Sequence, residues 1–119
     1  MIYELREYTA VLGRMPALVK RFNEHTFKLF EKHDIDCVFC SLTDVGDNSN
    51  NELVYLVRFD SAADREEKLA RFVSDPEWVK ARQQSEEAAG GPLVASIRNR
   101  ILCPALFGEP LNDHQLIER

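Results

Sequence analysis

Cysteine, glycine, proline and long apolar runs are all scarce in this sequence. The 119 residues include only three cysteines, five glycines and five prolines, which excludes a disulfide scaffold, a collagen-like repeat and a low-complexity chain. No apolar stretch approaches the roughly 20 residues that cross a bilayer, and the N-terminus lacks the pattern of a secretory signal peptide. We therefore expect a cytoplasmic protein with free thiols and no membrane contact.

Basic charge is also limited. Fifteen lysines and arginines stand against twenty aspartates and glutamates, and the net charge of -5 lacks the basic footprint of a nucleic-acid-binding protein. Hydrophobic residues make up 45% of the chain and charged residues 29%, a composition typical of folded domains. The length is enough for one hydrophobic core, so we expect a single domain.

The periodicity of apolar residues predicts the element order β-α-β-β-α-β, with the second helix split in two. The strands are expected over residues 2–9, 37–45, 53–59 and 93–102, and the helices over 16–33, 62–73 and 76–88. Ser61 and Asp75 are placed to cap the last two helices. This order is the ferredoxin-like α+β pattern, in which one antiparallel sheet carries its helices on one face.

Strand alternation predicts which side chains lie on the face without helices. We expect Tyr3, Leu5, Tyr55, Val57 and Phe59 to meet the helices. The residues expected to point away are Ile2, Glu4, Arg6, Tyr8, Val54, Leu56, Arg58, Arg98 and Arg100. Soluble monomers seldom expose so much apolar sheet, and packing two sheets about a twofold axis would cover it on both copies. A homodimer through the sheet face is predicted, with a solvated monomer as the alternative.

The first and third strands are neighbours in this fold, so Arg6 and Arg58 are expected side by side. Two adjacent guanidinium groups repel each other unless an anion lies between them. In one interpretation Glu4 is that anion, and the three side chains form an internal network that fixes the dimer. In the other, the arginines line a pocket for a small carboxylated or otherwise polar molecule.

Several short motifs resemble those of the NIPSNAP family. They are MIYELR-x-Y at residues 1–8, Gly13, the His25-Thr26 pair, NELVYL at 51–56, DPEW at 75–78 and GPLV at 91–94. The resemblance covers residues 1–107 and leaves 108–119 as a C-terminal tail. It implies a dimeric α+β barrel, in which two ferredoxin-like subunits close a barrel sheet to sheet.

The resemblance also bears on function. The wider dimeric barrel group contains cofactor-free monooxygenases, haem-binding and haem-degrading enzymes and isomerases, whereas NIPSNAP-like proteins have no firmly assigned chemistry. The resemblance implies a homodimer that binds a small polar or aromatic metabolite. A cofactor-independent oxygenase- or isomerase-like activity is one form that its function could take. A non-catalytic dimeric scaffold or regulatory interaction module is the alternative.

The candidate site residues are a set of polar side chains near the predicted pocket. The candidate ligand-binding residues are Tyr3, Glu4, Arg6, Tyr8, Arg58 and Arg98. Tyr3, Arg6 and Tyr8 would orient an oxygenated aromatic or acidic ligand. His25 is the candidate catalytic base, its alternative role being that of a half-buried structural histidine.

No metal or cofactor site is predicted. Cys37 and Cys40 lie on a predicted strand, where positions three apart point to opposite faces. His25 and His33 are eight residues apart, which is too far for the i, i+4 spacing of a helical metal site. The sequence has no phosphate-binding glycine loop. We therefore expect neither a metal nor a cofactor.

Overall fold

The computed structural model describes residues 1–104 of the chain, in which one antiparallel sheet carries its helices on one face. The strands are β1 (Ile2–Ala10), β2 (Asp36–Leu42), β3 (Glu52–Phe59) and β4 (Val94–Leu102), in the order β2-β3-β1-β4. The helices are α1 (Met15–Arg21), α2 (Phe27–Lys32), α3 (Ala62–Ser74) and α4 (Pro76–Ala89). The predicted α+β fold is confirmed. The predicted tail, residues 108–119, lies outside the described residues.

The first helix follows its predicted path but contains a π-helical turn, Phe22–Thr26, between α1 and α2. Its backbone bond joins groups five residues apart. The Thr26 hydroxyl donates a hydrogen bond of 3.4 Å to the Arg21 carbonyl just before the turn. A π turn adds a residue to the helix, and both Arg21 and Phe22 are buried at this point.

Ser61 caps α3 and Asp75 caps α4, as predicted. The Asp75 carboxylate accepts the backbone N–H two residues further on at 2.9 Å. The same carboxylate lies 2.8 Å from the Lys32 ammonium and 2.7 Å from His33 Nε2. Asp75 therefore ties the end of α2 to the start of α4. None of the helices in residues 1–104 has the length and apolarity needed to cross a membrane.

The core lies between β3 and the helices. Every second residue of β3 is buried, and Tyr55, Val57 and Phe59 face the helices as predicted. They pack with Leu18 and Phe30 of the first helix in one apolar cluster. Alternation predicted this strand correctly because its inward positions are all apolar or aromatic.

The predicted side-chain directions of β1 are wrong. Glu4 pairs with Val57 and Arg6 with Tyr55 across the β1–β3 ladder, and residues that pair directly share a face. The residues of β1 on the helix side are Ile2, Glu4, Arg6 and Tyr8, and those on the other side are Tyr3, Leu5 and Glu7. Alternation failed here because it assigns apolar residues to the core and charged residues to the surface. It takes no account of the polar partners that make the burial of Glu4 possible.

We call the face without helices the open face. Its apolar residues are Tyr3, Leu5, Phe39, Val54, Leu56 and Leu102, and its charged residues are Glu7, Asp36, Glu52, Arg58, Arg98 and Arg100. Arg58 donates a 2.8 Å hydrogen bond from Nε to Asp36 on this face. The predicted arrangement of Arg6 beside Arg58 is therefore wrong, since the two side chains lie on opposite faces of the sheet.

Candidate ligand-binding cavity

A cavity of about 380 Å3 lies between the helix side of the sheet and the helices. The strands contribute Arg6, Tyr8, Tyr55 and Ile97 to its wall, and the helical layer contributes aromatic rings and Arg21. Small-molecule sites in proteins have volumes of roughly 300–1,000 Å3 and are mostly apolar with a few polar groups. The cavity has the size and lining of such a site.

Glu4 anchors the polar end of the cavity although it is fully buried. Its carboxylate accepts hydrogen bonds from Arg6 at 2.8 Å, from Arg65 of α3 at 2.9 and 3.1 Å, and from Asn99 of β4 at 2.8 Å. Burial raises the pKa of Glu4, but the Arg65 and Asn99 hydrogen bonds and the arginine charges outweigh it, so the pKa is lowered. The predicted network of Glu4, Arg6 and Arg58 on the face without helices is therefore wrong: Glu4 and Arg6 lie on the helix side, and the second arginine bound to Glu4 is Arg65.

Arg6 in turn fixes two tyrosine hydroxyls. Its Nε and Nη2 donate to the Tyr8 hydroxyl oxygen at 3.3 and 3.1 Å, and that oxygen lies 2.8 Å from the Tyr55 hydroxyl oxygen. Either hydroxyl can be the donor in this bond, which uses one of the two tyrosine protons. Within residues 1–104 the other proton has no protein acceptor, and burial raises the pKa of Tyr55 well above its usual value. The tyrosine pair therefore offers one hydrogen-bond donor to the cavity.

Arg21 is the second guanidinium on the cavity wall, and its surroundings differ from those of Arg6. The residue is 6% exposed, its Nη1 makes a long hydrogen bond of 3.4 Å to Ser85, and its Nε has no hydrogen-bond partner. Its guanidinium carbon lies 5.3 Å from the centre of the Trp78 ring. Burial lowers the pKa of Arg21, although the Glu86 charge opposes this effect. Within residues 1–104 no carboxylate lies at ion-pair distance from Arg21.

Aromatic rings form the apolar part of the wall. Phe22 packs edge to face on Tyr55 at 5.5 Å between ring centres, and Phe72 lies 5.3 Å from Phe30 and 4.8 Å from Trp78. Such contacts hold large rings in fixed orientations. The arrangement suits a ligand with a flat or apolar body and a polar end group.

The predicted site residues separate into two groups. Glu4, Arg6 and Tyr8 lie together on the helix side, where Arg6 and Tyr8 line the cavity. Tyr3, Arg58 and Arg98 lie on the open face, on the other side of the sheet. Of these six residues, only Arg6 and Tyr8 can contact a molecule bound in this cavity.

His25 does not line the cavity. Its side chain is 43% exposed, lies 3.9 Å from Glu24, and borders a separate groove between α1 and α4. The catalytic role of His25 stays a prediction, and this position gives it no contact with the polar groups of Arg6 and Tyr8.

The two cysteines of β2 lie on one face, which corrects the sequence-based argument. A bulge at Val38 shifts the register, so Cys37 pairs with Val57 and Cys40 with Tyr55 on the helix side. Burial raises the pKa of Cys37 to about 12 and also raises that of Cys40, so neither thiol is activated. In the part of the chain described, no three side chains of the metal-binding types converge on a common point.

Arg21, Tyr55 and Arg65 contribute to the site but were not among the predicted site residues. The role of Arg21 could have been recognised from the sequence, because it follows Leu18 by three positions on the apolar stripe of the helix, where a charged residue is unusual. The role of Arg65 could not, because its helix has charged residues on either side of it and its partner Glu4 is 61 positions away.

Acid should destabilise this protein through Glu4 and Asp75. Hydrogen bonds to Lys32, to the Glu77 backbone and to His33 lower the pKa of Asp75, and the pKa of Glu4 is lowered as well. Both carboxylates therefore bind protons more weakly in the folded than in the unfolded state. The contribution of the two carboxylates to the free energy of unfolding is fully present above their unfolded pKa values. It decreases as the pH falls below about 4.5. Thermal melts between pH 3 and 7 measure this, and a melting temperature that does not decrease towards pH 3 would contradict it.

The chain was compared with known proteins. The NIPSNAP family model matches residues 3–109. A NIPSNAP family protein of unknown function from Agrobacterium tumefaciens is 28% identical, with 92% of each chain covered and a TM-score of 0.76. A NIPSNAP-like domain protein from Burkholderia xenovorans is 23% identical, with 93% of this chain and 90% of that chain covered and a TM-score of 0.77. No curated protein matches with significance.

The fold extends beyond these relatives. A putative antibiotic biosynthesis monooxygenase from Chloroflexus aurantiacus shares 16% identity over 88% of this chain and 94% of that chain, with a TM-score of 0.55, which shows a common fold alone. The family match spans nine-tenths of the sequence and agrees with the motifs at both ends of the domain. The chain belongs to the NIPSNAP family.

Proposed function

We propose that this protein binds a small metabolite in the cavity between its sheet and its helices. The observation that carries the proposal is the preorganised polar end of an otherwise aromatic cavity. Glu4 holds Arg6, and Arg6 holds Tyr8, so the groups that would contact a ligand are already fixed before it arrives. Preorganisation of this kind reduces the ordering cost of binding.

The lining supports binding more than catalysis. A general base must lie within hydrogen-bond reach of the proton that it removes. Among the described residues on the cavity wall Glu86 is the only carboxylate, and its Oε1 lies 3.1 Å from Arg82 Nε. The tyrosine pair offers a hydrogen-bond donor. The cavity is therefore equipped to orient and polarise a ligand.

The assembly that we propose is a homodimer through the open face. Leu56 pairs with Leu5 on one side and with Phe39 on the other, which gives an apolar row across three strands. Asp36 at the β2 edge and Arg98 at the β4 edge carry opposite charges. Such a face is complementary to a second copy of itself turned about a twofold axis. The cavity lies on the opposite side of the sheet and stays accessible in this arrangement.

Native mass spectrometry of the gently purified protein tests the binding proposal. We expect an added small-molecule mass that is lost on denaturation. The Val94→Trp substitution places a large ring at the cavity wall and should abolish the added mass. The matched control is Val79→Trp, at an exposed position of α4 outside the cavity, and it should retain that mass. An added mass that persists unchanged in folded Val94→Trp would place the ligand elsewhere and refute the proposal.

A further inference from the structure

The cavity is positively charged although the chain as a whole is acidic. Three arginines and one glutamate are the charged residues on its described wall, which gives a local charge of +2 in a chain with a net charge of -5. Just beyond the wall, Glu4 lies between Arg6 and Arg65, and counting Glu4 and Arg65 with the wall leaves the excess of +2 unchanged. The excess is therefore a property of the cavity itself.

Arg21 is the least compensated of these charges, because Glu86 acts on it only from beyond ion-pair distance. Arg6 has Glu4 at 2.8 Å and Arg82 has Glu86 at 3.1 Å, whereas no described carboxylate lies within ion-pair distance of Arg21. Its Nε is buried without any hydrogen-bond partner in residues 1–104. A buried guanidinium that lacks both a counter-ion and a full set of acceptors lowers the stability of the empty protein. This cost is recovered when an anion with acceptor oxygens enters the cavity.

We propose that the cavity takes a carboxylate attached to an aromatic or comparable apolar body, and that Arg21 is the residue that binds the carboxylate. The proposal rests on the proposed binding function and names the class of ligand. A planar guanidinium pairs with a carboxylate through two parallel hydrogen bonds, and Arg21 lies on the cavity wall. The rings of Phe22, Phe72 and Trp78 surround the space that the apolar body would fill.

The tyrosine pair supplies a second donor to the same ligand. One of the two hydroxyl protons forms the bond between Tyr8 and Tyr55, and the other is available to the ligand. Tyr8, Tyr55 and Arg21 all lie on the wall of this cavity. The ligand oxygens are thus recognised by one charged and one neutral donor.

The alternative is that Arg21 is a structural residue that packs on Trp78 and needs no ligand. The two interpretations differ in the effect of replacing it by an apolar residue of similar length. If Arg21 is an uncompensated ligand anchor, Arg21→Met relieves a buried charge and raises the melting temperature of the ligand-free protein. If the contact with Trp78 is the reason for the arginine, the same substitution lowers the melting temperature.

Isothermal titration with hydrocinnamate and with hydrocinnamide, its neutral amide of the same shape, tests the proposal. We expect wild-type protein stripped of any bound molecule to prefer the acid about 10- to 100-fold, the range of a charge-assisted hydrogen bond. Arg21→Met should bring the two affinities to within about 3-fold, and Arg21→Lys should restore part of the preference. The matched control, Lys20→Met, removes the same charge from the adjacent exposed position and should leave the preference unchanged.

The outcomes separate the two proposals. Equal affinity of wild-type protein for acid and amide, or a preference that survives in Arg21→Met, overturns the role of Arg21 and leaves the binding function standing. Absence of binding by both compounds, together with no added mass in native mass spectra, overturns the binding function and the ligand class with it. A melting temperature of ligand-free Arg21→Met below that of wild type assigns Arg21 to the fold.

Discussion

The Glu4→Gln substitution is expected to lower the free energy of unfolding by about 3 kcal/mol, close to the lower end of the range for breaking a buried ion pair. Glu4 is fully buried and accepts four hydrogen bonds, three of them from arginines. A glutamine fills the same space but leaves two guanidinium groups without their counter-charge. Both arginines are partly exposed, with 19% of the Arg6 side chain and 25% of the Arg65 side chain accessible, and this keeps the loss below the upper end of the range.

Urea denaturation followed by circular dichroism measures this effect. The control is Glu31→Gln, at an exposed position of α2 on the helix side of the sheet. Surface substitutions of this kind change stability by about 0.5 kcal/mol or less. Equal unfolding midpoints for the two variants would show that the Glu4 network contributes nothing to stability.

The Leu56→Glu substitution is expected to dissociate the proposed dimer. Leu56 is half-buried at the centre of the open face, between Leu5 and Phe39. In a twofold dimer the substitution places two carboxylates in one apolar interface, and juxtaposed like charges cost several kcal/mol. The dimer dissociation constant should therefore rise by a factor of about 1,000 or more. The stability of the subunit should change little, because the side chain lies outside the core.

Sedimentation equilibrium at micromolar concentration measures the assembly. Wild type should have twice the chain mass of 13.7 kDa, and Leu56→Glu should have the mass of one chain. Val79→Glu introduces the same charge at an exposed position of α4 and should remain a dimer. If wild type sediments as a single chain, or if Leu56→Glu remains dimeric, the open face is not the interface.

Some features of the fold were readable from local sequence. The β3 strand alternates between buried apolar and half-buried positions along its whole length, so its direction was predictable without any partner. Ser61 and Asp75 were recognisable as caps because a cap requires only a side chain and a backbone N–H within the next few residues. The break between α3 and α4 was predictable because Asp75 is a capping residue and Pro76 is tolerated at the first position of a helix.

The cavity was less predictable because its polar groups have distant partners. Glu4 is bonded to Arg65, 61 residues away, and to Asn99, 95 residues away. Alternation treats Glu4 and Arg6 as outward residues, since a buried charge without partners would be too costly. Only the register of three strands and a helix shows that the partners are present, and it reverses the faces of β1.

The sequence by itself determined the element order, the helix caps, the core of β3 and the family, because each of these depends on spacing or on motifs within one segment. The tertiary structure decided which face Arg6 and Tyr8 occupy, where the cavity lies, and that the π turn leaves Arg21 buried beside it. These three features depend on which residues far apart in the sequence come into contact. The burial of a charge is favourable or costly according to its neighbours in space, and a single segment of the sequence does not contain those neighbours.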